Sequence, residues 1–130
     1  FAIFDMNIYS NPSIESEVTI QKTLDDVRAE CAVTKIWPNN RFQHSFSHIF
    51  GGGYSAGYYS YKWAEVMSAD AFTLFEEKGV FNQEIGSSFC SNILEKGGVY
   101  EPGELFFNFR GRDPQIDSLL QHSNINVSET

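Results

Sequence analysis

The sequence predicts an all-α fold of five to six helices joined by loops that contain glycine and proline. Apolar residues recur at helical spacing in several stretches, and glycine, proline and asparagine separate those stretches. The alternation of apolar and polar residues that is typical of strands is weak along the whole chain. With 130 residues, 42% of them hydrophobic and 15% aromatic, the chain can bury a core. We expect one helical segment over residues 1–130.

The first half of the chain is expected to contain three helical stretches. Residues 1–9 are apolar and indicate the end of a helix, which a break at residues 11–13 follows. Residues 34–40 are a predicted loop, and residues 41–50 a short helix before three consecutive glycines. The second helix starts near Ser16, because apolar residues follow at i, i+4, i+7 and i+11 spacing. These residues are Ile20, Leu24, Val27 and Cys31.

The longest predicted helix runs from about Ser55 to Lys78 and ends at Gly79 as its C-cap. Asp70 falls on its apolar face and needs a partner if it is buried. The expected core residues of that face are Tyr59, Trp63, Val66, Met67 and Leu74.

Three further helices are predicted from residues that favour helix starts. Asparagine and aspartate cap helix N-termini, and proline suits the first helical position. The predicted helices cover residues 82–95, 102–109 and 113–122 and begin at Asn82, Pro102 and the pair Asp113-Pro114.

The charge of the chain argues against two classes of partner. A net charge of −8 disfavours nucleic acids and anionic membranes, which both select for clustered lysine and arginine. Arg110 and Arg112 form the one basic cluster, and we expect ion pairs there rather than an anion site. No secretory signal is evident, so a cytoplasmic protein is expected. Cys31 and Cys90 lack Cys-x-x-Cys spacing and are expected to be reduced and buried.

Four tyrosines occur within eight residues, directly after the glycine run. A buried phenol needs a hydrogen-bond partner, so an ordinary core would favour phenylalanine or leucine. On a helix, Tyr54, Tyr58 and Tyr61 would fall within about 60° of one another. The pattern predicts a face that donates hydrogen bonds, beside a loop that can move.

Longer strings of residues carry a family resemblance over roughly residues 1–125. They include Phe46-Ser47-His48-Ile49-Phe50, Gly52-Gly53-Tyr54, Ala56-Gly57-Tyr58-Tyr59-Ser60-Tyr61-Lys62-Trp63, Glu104-Leu105-Phe106 and Phe109-Arg110-Gly111-Arg112. In this order and at these intervals, they resemble the C-terminal part of the thimet-oligopeptidase family of zinc metallopeptidases, nearest its bacterial oligopeptidase A branch. The resemblance implies a C-terminal fragment of an all-α zinc oligopeptidase that hydrolyses short peptides.

The resemblance also implies roles for single residues. In such a peptidase, zinc polarises the scissile carbonyl, and donors opposite the metal stabilise the oxyanion that forms. Tyr54 would be the main oxyanion donor and Tyr61 a second hydroxyl. His48 would bind the substrate backbone, and Tyr58 would contact the substrate pocket. The substrate loop that moves Tyr54 would contain Gly51, Gly52 and Gly53.

The zinc-binding His-Glu-x-x-His motif of that family does not occur in this sequence. His44 and His48 have the i, i+4 spacing of zinc ligands, but Ser45 replaces the glutamate and no third ligand is evident. We therefore expect His44 to be an ordinary histidine and no zinc site in this chain. The zinc of the parent enzyme is expected to be bound by residues upstream of Phe1.

Partners follow from the same resemblance. We expect short peptide substrates, the upstream catalytic segment of the same protein, and some self-association of the chain through apolar surface that this segment would cover. Alone, the chain is expected to be inactive. The alternative is a stand-alone helical module that binds peptides without cleaving them.

Overall fold

All regular structure in residues 1–14 and 16–125, which the computed structural model describes, is helical. A 3₁₀ turn at Phe42–His44 and a π-helical turn at Cys90–Leu94 accompany the α-helices. The all-α prediction is confirmed, with more helices than the five or six expected. The α-helices of the described residues are α1 (Ala2–Ser10), α2 (Glu17–Cys31), α3 (Ser47–Phe50), α4 (Ser60–Lys78), α5 (Gln83–Phe89), α6 (Pro102–Arg110) and α7 (Asp117–His122).

The chain divides into two compact units at the start of α4. The first unit comprises Phe1–Tyr61, and the second begins at Lys62. Each unit has a hydrophobic core of its own.

The core of the first unit forms where α1 and α2 meet the residues before the glycine run. The predicted start of α2 is confirmed, because Ser16 and Thr19 form a reciprocal capping box. Cys31 is exposed at the end of α2, so its predicted burial is wrong. Each fully buried apolar side chain contributes about 1.5–3 kcal/mol to such a core. The buried residues are Phe4, Leu24, Val27, Phe46 and Ile49.

The predicted helix over residues 41–50 is interrupted. Phe46 leaves helical geometry at φ −85° and ψ 64°, and its side chain is only 3% exposed. Burial of this large ring outweighs continuation of one short helix, because a four-residue helix gains little on its own. His44 and His48 consequently lie in different elements and share no helical face.

The core of the second unit joins α4, α5 and α6. The Asn82 side chain caps α5 by accepting from the amides of Glu84 and Ile85, as predicted. Pro102 opens α6, and Gly111 at φ 78° ends it. The buried apolar residues of this core are Ala71, Phe106 and Phe109, against which Met67, Leu74, Phe75, Ile85, Phe89 and Ile93 pack.

Two predicted helix starts are wrong by several residues. α4 begins at Ser60 instead of Ser55, and α7 begins at Asp117 instead of Asp113. In both places a buried carboxylate accepts hydrogen bonds from the preceding loop and holds it outside the helix. Tyr59 and Trp63 are each 55% exposed, so their assignment to the core is also wrong.

Asp70 is fully buried on α4, and it has hydrogen-bond partners, as the sequence analysis required of a buried aspartate. Its oxygens accept from the Arg112 guanidinium at 2.5 and 2.6 Å and from the Gln115 amide at 2.7 Å. Burial by itself would raise the pKa of Asp70, but the hydrogen bond from Arg112, the Gln115 amide and the charges of Arg112 and Arg110 together lower it. Arg110 also pairs with Glu77 at 2.6 Å, so the predicted ion pairing of both arginines is confirmed.

In the part of the chain that the structure describes, no helix combines the length and the apolar character needed to cross a membrane.

Candidate functional site

Four aromatic side chains of the first unit form what we call the tyrosine–histidine cluster: His48, Tyr54, Tyr58 and Tyr61. The Tyr54 and Tyr61 rings stack with centroids 5.4 Å apart, and the Tyr58 ring lies 5.0 Å from that of Tyr61. The His48 ring is 5.9 Å from Tyr54 and meets Tyr58 edge-on at 5.7 Å. These separations are typical of favourable aromatic contacts.

The predicted helical face of tyrosines is wrong, although the same residues do come together. Tyr54 and Tyr58 lie in the loop of residues 51–59, and Tyr61 lies in the first turn of α4. The loop folds back so that the Tyr61 ring contacts the rings of both Tyr54 and Tyr58. Their proximity is therefore a tertiary feature.

The backbone of the first half of the loop hydrogen bonds to α3. The amides of Gly51 and Gly52 both donate to the Ser47 carbonyl at 2.8 Å, and the Tyr54 amide donates to the His48 carbonyl at 3.0 Å. A Cβ on Gly52 would lie 2.9 Å from the His48 Cα, closer than real Cβ atoms approach. Glycine is required at position 52 for this close approach.

Asp5 of α1 holds the second half of the loop. Its side chain is fully buried, and its two oxygens accept from the amides of Ala56 and Tyr58, each at 2.9 Å. Ala56 has a φ of 53°, which residues other than glycine rarely adopt. Sequence analysis missed Asp5; the available signal was a single acid within an apolar stretch.

Two tyrosines of the cluster are partly exposed to solvent. Tyr54 is 37% and Tyr61 43% exposed. A hydrogen bond with Tyr54, and then desolvation and the neighbouring phenols, raise the pKa of Tyr61. Because a raised pKa keeps Tyr61 protonated well above pH 7, its hydroxyl can donate a hydrogen bond at neutral pH.

The residues that the structure describes do not fit a catalytic zinc ion. The His44 ring nitrogen lies 3.3 Å from a Glu17 oxygen on the protein surface, whereas His48 packs against Phe46 and the tyrosines. Across residues 1–14 and 16–125, no three histidine, cysteine, aspartate or glutamate side chains are placed to hold a metal.

The sequence of the chain matches a known family of proteins. The model of peptidase family M3 matches residues 1–125. The chain belongs to this family of peptide-hydrolysing metallopeptidases, and the resemblance found in the sequence is confirmed.

Several relatives with high identity to this chain are oligopeptidase A proteins. Over 125 residues the chain is 49% identical to oligopeptidase A of Salmonella typhimurium and 53% identical to that of Haemophilus influenzae. It is 43% identical over 129 residues to the probable cytosolic oligopeptidase A of Arabidopsis thaliana. In each case 96% of this chain is covered, and the chain spans 18% of the relative's length.

Proposed function

We propose that this chain is the C-terminal part of a zinc-dependent oligopeptidase and supplies one wall of its substrate channel. The single observation that carries the proposal is the tyrosine–histidine cluster, in which partly exposed phenols lie beside a glycine-containing loop. Family membership supports a role in peptide hydrolysis.

Within that wall, Tyr54 donates a hydrogen bond to the oxyanion of the tetrahedral intermediate. A neutral phenol suits this role because it remains protonated at pH 7 and its ring fixes the position of the hydroxyl. Tyr61, which stacks on Tyr54, supplies a second hydroxyl. His48 binds the substrate backbone, and Tyr58, whose ring contacts those of His48 and Tyr61, contributes to the substrate pocket.

The glycine run serves as the hinge of this substrate loop. Gly51 and Gly53 have no neighbouring atoms within 4 Å of an added Cβ, whereas Gly52 is closely packed. Open space at two of three glycines leaves room for movement of Tyr54 over a bound peptide.

The water-activating zinc site is supplied by other residues of a longer protein. This chain by itself neither binds catalytic zinc nor hydrolyses peptides. A genomic reading frame that continues upstream of Phe1 and encodes His-Glu-x-x-His supports this assignment. A start codon directly before Phe1, without such a motif, supports the stand-alone peptide-binding module instead.

The remainder of the peptidase covers apolar side chains that this chain exposes. Trp63, Phe81 and Phe107 are each at least half exposed. The isolated chain therefore self-associates, and light scattering that shows one monomeric species at all concentrations contradicts this. A cytoplasmic location is proposed from the cytosolic relative in Arabidopsis.

The test of Tyr54 is Tyr54→Phe in the full-length peptidase. Loss of one oxyanion donor is expected to lower kcat by about 10²–10³-fold with little change in KM or zinc content. The matched control is Tyr100→Phe, because Tyr100 is a similarly exposed tyrosine of the second unit. An unchanged kcat for Tyr54→Phe removes Tyr54 from catalysis.

A further inference from the structure

Asp5 is a buried acid that no proposed catalytic role uses. It is 0% exposed. Each of its two oxygens accepts a hydrogen bond from a backbone amide, one from Ala56 and one from Tyr58, which lie 51 and 53 positions further along the chain. Within residues 1–14 and 16–125, no lysine, arginine or histidine side chain forms an ion pair with it.

Such a carboxylate is expensive to bury without compensation. A charged group removed from water destabilises the fold unless hydrogen bonds replace its hydration. Here the compensation comes from the amides of Ala56 and Tyr58, whose bonds to an ionised acceptor are stronger than neutral ones. Both oxygens are used, one for each amide, so the carboxylate fixes the orientation of residues 56–58 as well as their position.

The held segment is one that would not keep its conformation alone. Ala56 adopts a left-handed φ of 53°, which is unfavourable for a residue with a Cβ. On the other side, the Ser55 hydroxyl donates to the Ile49 carbonyl at 2.8 Å, and the Tyr9 hydroxyl donates to the same carbonyl. The loop is thus tied to α3 before residue 56 and to α1 from residue 56 onward.

We propose that Asp5 is a positioning residue that presents Tyr54 to the substrate by holding residues 56–58. This inference rests on the proposed function of Tyr54. Asp5 itself touches no reacting group. Its effect on the reaction passes through the backbone of the loop.

The experiment compares Asp5→Asn and Asp5→Glu in the full-length peptidase. Asparagine keeps the size of the side chain, but its NH₂ group would face one of the amides and break that hydrogen bond. We expect Asp5→Asn to lower kcat by about 10–100-fold, the cost of a misplaced catalytic group, with a smaller change in KM. Hydrogen–deuterium exchange of residues 51–61 should become faster. The matched control is Asp26→Asn, because Asp26 is an exposed aspartate of α2.

Comparison of the kcat values of the two variants separates the contribution of hydrogen bonding from that of packing. Glutamate keeps a carboxylate but is longer, so Asp5→Glu should retain more activity than Asp5→Asn if acceptance of the two amides matters. The reverse order indicates that only the volume of the side chain matters, and it overturns the proposal. If Asp5→Asn does not fold, Asp5→Glu alone carries the kcat and exchange measurements.

A double variant tests whether Asp5 acts through Tyr54. In a Tyr54→Phe background, the effect of Asp5→Asn on kcat should shrink to about threefold or less, because residues that act as a unit are not additive. An undiminished effect overturns the proposed route. If Tyr54→Phe lowers kcat and neither Asp5 variant does, the positioning role is wrong and the proposed function stands. If Tyr54→Phe has no effect, the proposed role of Tyr54 is wrong and this inference falls with it.

Discussion

Asp5 in the first unit and Asp70 in the second are both completely buried, yet different groups stabilise the two carboxylates. Asp5 accepts from two backbone amides of a loop, whereas Asp70 accepts from the Arg112 guanidinium and one amide. Amide donors hold the backbone of the loop in place. The side chains of the loop take no part in these hydrogen bonds and remain available to contact a ligand. The ion pair instead connects α4 to the chain that follows α6.

The difference shows two uses of one residue type. In the first unit, the buried acid accepts hydrogen bonds from the loop that contains Tyr54 and Tyr58 and orders that loop. In the second unit, it links distant parts of a helical core, because Asp70 and Arg112 are 42 residues apart. The first arrangement is expected to affect activity more than stability, and the second to affect stability more than activity.

The largest expected effect on stability is that of Arg112→Ala. Removal of the guanidinium leaves the Asp70 carboxylate buried without its main partner, which should lower the free energy of unfolding by about 3 kcal/mol. Urea unfolding monitored by circular dichroism measures the change. The control is Lys22→Ala, which breaks an exposed pair with Asp26 and should cost about 0.5 kcal/mol or less. Equal effects of the two substitutions would contradict the structural role of Asp70.

The same ion pair predicts a dependence of stability on pH. The folded pKa of Asp70 is lowered below the unfolded value of about 3.9, so its contribution is present above that pH. It is lost as the pH falls through the folded pKa, because the unfolded state then binds the proton more readily. The difference in unfolding free energy between the wild type and Asp70→Asn should therefore shrink between pH 6 and pH 3. A difference that stays constant over this range would contradict the prediction.

A pair of glycine substitutions tests the packing of the first unit. Gly52→Ala places a Cβ 2.9 Å from the His48 Cα, where only backbone could yield, and should destabilise the unit by about 1–3 kcal/mol. Gly51→Ala meets no atom within 4 Å and should be neutral or slightly stabilising. Thermal unfolding of both variants measures the contrast. Equal losses would show that the loop is not held as described.

The smallest expected effect is that of the helix cap in the second unit. Asn82→Ala removes the side-chain acceptor for two amides of α5 and should cost about 1 kcal/mol. Ser16→Ala at the start of α2 removes one such bond and should cost a similar or smaller amount. Asn39→Ala, in an exposed loop, serves as the control. Urea unfolding with no loss for Asn82→Ala would argue against the cap.

Local patterns predicted the helices well where the relevant interactions are local. The start of α2 after Ser16, the cap at Asn82 and the helix-initial Pro102 were each predicted from residues within a turn of the helix end. Predictions failed where a distant partner competes with helix formation. The start of α4 is set by the bond between Asp5 and Ala56, and the start of α7 by the bond between Asp70 and Gln115.

The sequence by itself determined the all-α class, the membership in peptidase family M3 and the identity of the cluster residues. It could do so because helical periodicity and helix caps depend on neighbours in the chain, and the motifs are long. Only the tertiary structure decided that Asp5 holds the loop, that Tyr59 and Trp63 are exposed, and that Arg112 is the partner of Asp70. Each of these depends on residues that are far apart in sequence, and no local pattern encodes which distant groups will meet.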